Sequence, residues 1–553
     1  MCGAHHGGTL LMSKQVHSMA VAHCCVGPDA HMLMWLMSDR ALPRSWRMME
    51  GHGVHSFKLI NGRGQTHLVK FHWRPRLGVQ TLVWDEAQKI AGRDPDFHRR
   101  DLWEAIERGH LPEWELGIQA VAAGREDELD IDLLDPTKLI PEELLPILPV
   151  GRLILNRNPD NHFAEVEQSA FHPGHVVPGI DFSDDPLLQG RLLAYTHAQL
   201  HRLGGPNFHA LPINRPLSPV HHFQRDAQHQ GVIHRGRAAY EPNTLGQGTE
   251  LRVDGSAEAE QPPAAELGSA RLRRRSPSFD DHFSQATLFW NSQTTSGKEH
   301  IVAAFRHELA QVHASEIRQR MVDNLAHVDP KLAARVAQPL GLMPPDAAAA
   351  AGRLGFRSSQ PTCALQEAPS LAQGSRPRAE GHAATQTRRV AVLVADGVDM
   401  VPVRKLLHEL EDAGLEHQVI APHLGSVGTA GGRTLAVDLS LGQSGSVLFD
   451  ALLLAGGAAA VETLLKMGSA LHFVLEAYRH GKPICALGEG ADLLASLGFS
   501  FSPERGSALS IPTAGVILAD GHKAQEAEIS SAFIAAIVAG RHGDRLNGDA
   551  IPA

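Results

Sequence analysis

The chain of 553 residues is long enough for roughly two to four domains, and its 43% hydrophobic and 20% charged residues are typical of a globular protein that folds in water. The formal net charge of −10 and the isoelectric point near 6.4 argue against a general nucleic-acid-binding protein, because such proteins carry a basic surface. No apolar run approaches the roughly 20 residues that a membrane-spanning helix requires, so we expect neither a nucleic-acid nor a membrane partner.

Residues 1–26 mix His, Gly, Met and Cys without periodicity, and we treat them as an atypical leader. A short apolar patch between Met19 and Val26 is interrupted by a histidine and two cysteines, which makes it a poor signal peptide. From about Gly27 the sequence becomes dense in motifs, and a first domain is expected over residues 27–245.

The cysteines indicate the compartment. Cys2, Cys24, Cys25, Cys363 and Cys485 form no pattern typical of a disulfide framework, so a reducing cytoplasm fits best. The 34 histidines are scattered without metal-ligand spacing, and most are expected on the surface or hydrogen-bonded in the core.

Alternating side chains predict a β-hairpin near the start of the first domain. Its strands are residues 55–60 and 66–73, and the turn Asn61-Gly62-Arg63-Gly64 lies between them.

Further strand candidates are residues 114–123, 128–134 and 151–156. Residues 84–109 have a helical pattern with a break at Asp94-Pro95. Several antiparallel strands with helical insertions favour a closed or nearly closed barrel.

Tyr195 is one of three tyrosines in the chain, and Arg191 precedes it by one helical turn. Residues i and i+4 share a face of a helix, so the guanidinium can hydrogen-bond the phenol oxygen. A phenol is neutral in water at pH 7, and a neighbouring cation together with a bound metal would make it an anion that suits Fe(III). The same spacing also occurs on solvated helix faces, so the pair alone leaves both interpretations open.

Two composition changes divide the middle of the chain. Residues 246–295 are polar and include the basic run Arg271-Leu272-Arg273-Arg274-Arg275, which predicts a linker or a wrapping segment. Residues 296–342 return to helical periodicity, with a new helix expected to start at Asp329-Pro330. Residues 343–387 are rich in Ala, Pro, Ser, Gln and Arg and form the clearest domain boundary.

Strands and helices alternate in the last part of the chain, residues 388–553. The strand candidates are residues 390–395, 417–421, 449–457 and 483–487, and the helix candidates are residues 401–413 and 471–480. This alternation implies a parallel, doubly wound sheet.

Short motifs of polar and aromatic residues follow one another from about Gly27 to the C-terminus. They are Met37-Ser38-Asp39-Arg40, Phe71-His72-Trp73, Val83-Trp84-Asp85-Glu86-Ala87, Arg93-Asp94-Pro95-Asp96-Phe97-His98-Arg99-Arg100-Asp101-Leu102, Leu133-Leu134-Asp135-Pro136-Thr137-Lys138, Asn156-Arg157-Asn158-Pro159-Asp160-Asn161, Ala170-Phe171-His172-Pro173-Gly174-His175 and Arg202-Leu203-Gly204-Gly205-Pro206-Asn207-Phe208. In order and spacing these motifs resemble those of the monofunctional haem catalases, and in particular the large-subunit catalases, which carry an additional flavodoxin-like C-terminal domain.

The resemblance implies an α+β fold with an incomplete antiparallel catalase β-barrel over residues 27–245. A wrapping segment (residues 246–295), a helical domain (residues 296–342) and a linker (residues 343–387) would follow, and residues 388–553 would form a flavodoxin-like, PfpI-type α/β domain. The implied activity is decomposition of hydrogen peroxide to water and oxygen in oxidative-stress defence. The implied assembly is a cytoplasmic homotetramer, with haem b or a modified haem d as cofactor.

The resemblance also implies a set of haem-site residues. Tyr195 would be the proximal iron ligand, Arg191 would hold it as phenolate, and Asp185 with His55 would complete the proximal hydrogen-bond network. Phe171 matches a residue that packs on the haem.

His172 matches a histidine that some large-subunit catalases bond to the β-carbon of the proximal tyrosine. The alternative is a structural histidine of a turn. The chain departs from the family at Leu193, where Phe is usual, and at His197, where an acid is usual. Leu193 is expected to be tolerated in packing, whereas His197 would lose a local salt bridge.

The distal histidine and asparagine of the family, which precede the Met37-Ser38-Asp39-Arg40 motif, have no match in this chain. His5, His6, His17 and His23 stand in other contexts. We expect that the distal motif was lost to a misplaced start or a frameshift. The alternative to an active catalase is therefore a truncated, catalytically impaired haem-binding homologue.

The C-terminal part raises a third possibility, a PfpI-like hydrolase or chaperone. Active relatives carry a cysteine on a strained turn after Gly-Lys-Pro and a short strand, and here that position is Gly488. Cys485 lies three residues earlier, within the predicted strand, where a thiol is usually inert. A structural role for this domain is therefore expected.

Overall fold

The computed structural model describes residues 30–129, 131–217, 281–343, 365–372, 387–499, 509–519 and 526–543. It also describes the isolated residues 228, 230, 231, 233, 345, 385, 501 and 545. The leader, most of the predicted wrapping segment and most of the predicted linker lie outside the described residues.

The first region is built on an antiparallel sheet. Its strands are β1 (Gly51–His52), β2 (Phe57–Ile60), β3 (Thr66–Pro75), β4 (Glu113–Ala122), β5 (Leu148–Ile154) and β6 (Ile180–Phe182). They pair in the order β5-β4-β3-β2-β6, and β1 pairs with β3. The predicted hairpin is confirmed, since Ile60 pairs with Thr66 across the turn and Gly64 adopts φ 74° there.

One predicted strand is wrong. Over residues 128–134 the structure has a short 3-10 helix, Glu126–Leu129, followed by turns. The carboxylate of Asp132 accepts from the Leu134 amide at 2.9 Å, and that of Asp135 accepts from the Thr137 amide at 2.9 Å. Such side-chain acceptors compete with a strand ladder for backbone donors and favour turns.

The helices of the first region begin and end at recognisable residues. They are α1 (Ala30–Met37), α2 (Trp84–Arg93), α3 (Phe97–Glu107) and α4 (Pro186–Leu203). The predicted break at Asp94-Pro95 is confirmed, because α2 ends at Arg93 and α3 starts at Phe97. Asp185 caps α4 by accepting from the amide of Leu187 at 2.8 Å, and Gly204 closes the helix with φ 75°.

Four helices follow the gap in the described residues, and the first of them lies before residue 296. They are α5 (Ser284–Ser292), α6 (Thr295–Ala310), α7 (Ser315–Val328) and α8 (Pro330–Ala337). Helix α5 thus lies within the predicted wrapping segment, residues 246–295, and the boundary at residue 296 stays a prediction. Phe289 of α5 is fully buried beside Leu33 and Met34 of α1, a long-range contact that local polarity does not reveal. The start of α8 after Asp329 is confirmed.

The C-terminal region is a mainly parallel sheet whose strands alternate with helices along the chain. Its strands are β7 (Arg389–Leu393), β8 (Glu416–Ala421), β9 (Gly425–Gly428), β10 (Thr434–Val437), β11 (Leu439–Ser440), β12 (Ala451–Leu454), β13 (Ile484–Leu487), β14 (Leu509–Thr513) and β15 (Val516–Ala519). The sheet order is β11-β8-β7-β12-β13-β15-β14, with only the β14–β15 pair antiparallel, and β9 pairs with β10 separately. The predicted strands are confirmed.

The helices of this region are α9 (Met400–Asp412), α10 (Ala458–Leu465), α11 (Gly468–Arg479), α12 (Ala491–Ser496) and α13 (Glu526–Ala539). Both predicted helices correspond to α9 and α11. No single helix among the described residues is long and apolar enough to cross a membrane, and only the bent pair α10 and α11, taken together, meets that criterion of length and composition.

Buried ion pairs join the two regions. Arg44 of the first region binds Asp450 through two hydrogen bonds of 2.6 and 2.8 Å. Glu86 of α2 is fully buried and accepts a 2.7 Å ion pair from Lys482 as well as a contact from Arg541. These contacts fix α2 against the C-terminal sheet.

Candidate functional site

Helix α4 carries the arginine–tyrosine pair that the sequence singled out. Arg191 Nη2 donates a 2.7 Å hydrogen bond to the Tyr195 hydroxyl oxygen, and the guanidinium carbon lies 4.7 Å from the centre of the tyrosine ring. Both side chains are half-buried. The predicted contact is therefore confirmed, and the phenol oxygen has a fixed cation beside it.

A second pair lies at the N-terminus of the same helix. His55 Nδ1 and Asp185 Oδ2 are 2.5 Å apart, and the two side chains are only 4% and 1% exposed. Burial alone raises the pKa of Asp185, but the hydrogen bonds from His55 and from the amides of Leu188 and Leu187 outweigh it and lower the pKa overall. Asp185 is thus a carboxylate that orients His55 while it caps α4.

The antiparallel pairing of β2 and β6 brings these two distant residues together. Phe57 pairs with Phe182, so the residues before β2 and after β6 emerge side by side. The Nε2 atom of His55 is buried without a hydrogen-bond partner among the described residues. Among the described residues, no hydrogen bond joins the His55–Asp185 pair to the Arg191–Tyr195 pair. The predicted hydrogen-bond network that links all four residues therefore stays a prediction.

Phe171 and His172 precede α4. Phe171 is 77% exposed, which is unusual for an aromatic side chain. His172 Nδ1 accepts from the Gly174 amide at 2.8 Å, so its Nε2 carries the proton and donates to the Thr196 hydroxyl at 2.7 Å. The ring centres of His172 and Tyr195 are 6.4 Å apart with nearly perpendicular planes. Both ring nitrogens of His172 are engaged, as in a structural turn histidine.

The two departures from the family are accommodated at the surface of α4. Leu193 is 76% exposed, so it packs against little of the described chain. His197 is exposed and its ring is parallel to that of His201, with centres 6.4 Å apart. Among the described residues, no acidic side chain lies within salt-bridge distance of His197.

The donor set fits an iron porphyrin. A phenol oxygen that accepts from a guanidinium has the chemistry of a ferric-iron ligand, and the exposed Phe171 offers an apolar face for a flat ring system. Apolar side chains are also exposed on β5 and in the segment before α4; they are Leu148, Val150, Leu153, Ile154, Phe163, Val166, Val176 and Val177. The histidines of residues 1–26 lie outside the described residues.

Sequence reasoning missed the residues that surround His55. Ser56 Oγ donates to the Leu133 carbonyl at 2.6 Å, Ser183 Oγ donates to the Ser56 carbonyl at 2.5 Å, and the buried Lys70 donates to the Val54 carbonyl at 3.2 Å. The only available signal was a lysine within the otherwise apolar run Leu68-Val69-Lys70-Phe71 of a predicted strand.

The C-terminal region has no nucleophile at its strained turn. Gly488 follows β13 with φ 51°, a conformation that favours glycine. Cys485 lies inside β13, is fully buried, and burial raises the pKa of its thiol to about 12. The expected inert role of Cys485 agrees with this environment.

Comparison with known proteins matches almost the whole chain. Residues 23–247 match the family Catalase, residues 276–340 match Catalase-related immune-responsive, and residues 386–547 match the C-terminal domain found in long catalases.

Individual relatives give the same result. The chain is 47% identical over 540 residues to Catalase HPII of Pseudomonas putida, and the aligned residues cover 96% of this chain and 71% of that protein. It is 49% identical over 486 residues to Catalase HPII of Pseudomonas aeruginosa, covering 86% and 65% of the two chains. It is 44% identical over 517 residues to Catalase-2 of Bacillus subtilis, covering 94% and 71%. The chain thus spans about two thirds of the length of these relatives.

Proposed function

This chain belongs to the catalase family, and we propose that it is a haem catalase that decomposes hydrogen peroxide to water and oxygen. The observation that carries the proposal is the 2.7 Å hydrogen bond from Arg191 to the Tyr195 oxygen. It lies on a helix that is capped by Asp185, the partner of His55. A family member with this donor set is equipped to bind ferric haem.

Each side chain has a separate task in this proposal. Tyr195 would hold the iron through its phenol oxygen, and Arg191 would stabilise the negative charge on that oxygen. The exposed Phe171 would pack on the porphyrin. When bound, the haem supplies an iron centre that exchanges electrons with peroxide.

The His55–Asp185 pair orients a proton acceptor. When Nδ1 of a neutral His55 ring donates to the carboxylate of Asp185, Nε2 is an acceptor. We propose that Nε2 accepts a hydrogen bond from the guanidinium of Arg191 when haem is bound. This hydrogen bond would complete the proximal network. We propose no covalent bond between His172 and Tyr195, because His172 Nδ1 already accepts from the Gly174 amide.

We also propose the finer architecture that the family suggests. The open sheet β1–β6 would be part of a catalase β-barrel within residues 27–245, and residues 388–553 would form a flavodoxin-like domain. The exposed apolar side chains of Phe163, Val166 and Val177 support assembly into a homotetramer. Cys485 is a free thiol, in keeping with a reducing cytoplasm. Either haem b or a modified haem d would suit the Tyr195 ligand.

Oxygen evolution tests the proposed activity. The purified full chain, incubated with ferric haem and then with hydrogen peroxide, should release oxygen, and Tyr195→Phe should lower the rate at least about a hundredfold because the iron ligand is lost. Tyr478→Phe is the matched control. Tyr478 is buried in the C-terminal region, so this variant should retain activity. A chain that binds haem through Tyr195 but releases no oxygen would refute the catalase activity and leave haem binding as the function.

A further inference from the structure

Lys70 is a buried cation at the centre of the first sheet. It lies on β3 opposite Gln119 of β4, and it is 2% exposed. Burial lowers the pKa of Lys70 to about 8, against the opposite pull of the carboxylates of Asp135, Asp185 and Asp132. Burying a charged ammonium costs free energy unless nearby acceptors compensate for the lost water, so the partners of Lys70 explain its position.

The ammonium of Lys70 connects two loops. Nζ donates to the Val54 carbonyl at 3.2 Å and to the Lys138 carbonyl at 2.9 Å. Val54 directly precedes His55, and the second loop includes Asp135, whose Oδ2 atom is buried without a hydrogen-bond partner among the described residues. Lys70 thus binds the loop that presents His55.

Serine hydroxyls hold the other side of the same loop. Ser183 Oγ donates to the carbonyl of Ser56, and Gln189 of α4 donates to the carbonyl of Ser183 at 3.0 Å. Ser56 Oγ in turn donates to the Leu133 carbonyl. The segment 54–56 is therefore bound on both sides of His55, and one of these bonds comes from the segment that presents Asp185.

We propose that Lys70 is a positioning residue for the proximal site: it fixes the backbone before His55, so that His55 meets Asp185 at the N-terminus of the helix that carries Arg191 and Tyr195. The role in haem chemistry rests on the proposed function, whereas the role in holding His55 does not. Side chains that present functional groups need supporting hydrogen bonds of this kind to stay in one geometry.

Hydrogen exchange of the full chain without haem tests the positioning role. Lys70→Met keeps the length of the side chain and removes the donors, so amide exchange should rise roughly tenfold in residues 53–60 and 180–189. Residues 113–122 of β4 should be unchanged. Lys70→Arg should restore the wild-type exchange, because the guanidinium also donates to carbonyls.

Lys138→Met is the matched control. Lys138 is 5% exposed and donates from Nζ to the Asp281 carbonyl, at the start of the helical region, so its loss should leave residues 53–60 unaffected. Unchanged exchange in Lys70→Met, or an equal rise across β3 and β4, would overturn the positioning role.

Loading with haem then separates the two proposals. In Lys70→Met, the ferric haem spectrum should change over a pH range in which the wild-type spectrum is constant, and Lys70→Arg should restore the wild-type profile. Identical pH profiles in Lys70→Met and the wild type would overturn the link to the haem site. If the wild type binds no haem, the proposed function fails, and the exchange result still decides whether Lys70 holds His55.

Discussion

The two sheets of this protein differ in how completely they bury their side chains. In the C-terminal sheet, every residue of β12 and β13 is buried, and Val392, Leu453 and Ile484 are 0% exposed. In the first sheet, every residue of β5 is exposed, with Leu148 at 53% and Val150 at 55%.

The candidate haem site lies in the less buried of the two regions. Phe171 and Leu193, which both precede Tyr195 in the sequence, are exposed, whereas the C-terminal sheet is packed against buried aliphatic and aromatic side chains and an inert thiol. The C-terminal region therefore holds its own core together, and the first region depends more on what binds to it.

The contact between the regions should give the largest effect on stability. Asp450→Ala leaves Arg44 and Arg388 buried without their carboxylate, which should cost about 3–5 kcal/mol of unfolding free energy. Urea unfolding followed by tryptophan fluorescence reports on the first region and on α5 but not on the C-terminal region, because all seven tryptophans precede residue 291. If Asp450→Ala lowered the unfolding free energy measured by circular dichroism but not that measured by fluorescence, coupling between the regions would be contradicted.

Glu462→Ala is the matched control for that substitution. Its ion pair with Lys466 is solvent-exposed on a C-terminal helix, so the fluorescence transition should not move.

A matched pair of valines tests the difference in burial. Val392→Ala removes two buried methyl groups from β7 and should lower the unfolding free energy by about 2 kcal/mol. Val150→Ala on β5 should change it by less than about 0.5 kcal/mol. Chemical denaturation followed by circular dichroism measures both. Equal losses in the two variants would mean that β5 is covered in solution, as in an oligomer.

Acid should weaken the contact between the regions. Burial alone would raise the pKa of Glu86, but Arg541, Lys482 and His480 outweigh it and lower the pKa to about 2. The carboxyl of Glu86 titrates near pH 4.5 in the unfolded chain. Its ion pairs therefore contribute fully to the unfolding free energy above that pH, and this contribution is lost as the pH falls towards 2. The unfolding free energy should drop by about 1 kcal/mol between roughly pH 5 and 3.5. Glu86→Gln should flatten this slope, and an unchanged slope would contradict the assignment.

The smallest effect concerns Cys485. Its fully buried thiol should resist a thiol-specific reagent in the folded chain and react after unfolding in urea, as mass spectrometry of the Cys485 peptide can show. Rapid labelling of the native protein would mean that the C-terminal sheet opens, contrary to its completely buried core.

Local sequence signals predicted the features that depend on neighbours in the chain. The hairpin around Gly64, the cap at Asp329 and the contact of Arg191 with Tyr195 all involve residues a few positions apart. The run of residues 128–134 was misjudged because Asp132 and Asp135 use their carboxylates in turns.

Long-range contacts were beyond such signals. His55 and Asp185 are separated by 130 positions, and only the resemblance to a family brought them together before the structure did. The role of Lys70 and the burial of α5 against α1 depend on packing between distant segments, which periodicity and spacing do not encode.

The ferric haem spectrum tests the assignment of Tyr195 most directly. Wild-type chain titrated with ferric haem should bind about one haem per chain and show the absorption of a high-spin ferric tyrosinate complex, and Tyr195→Phe should lose that spectrum. Tyr478→Phe should bind haem like the wild type. A wild-type chain without bound haem, or a Tyr195→Phe variant with an unchanged spectrum, would contradict Tyr195 as the iron ligand.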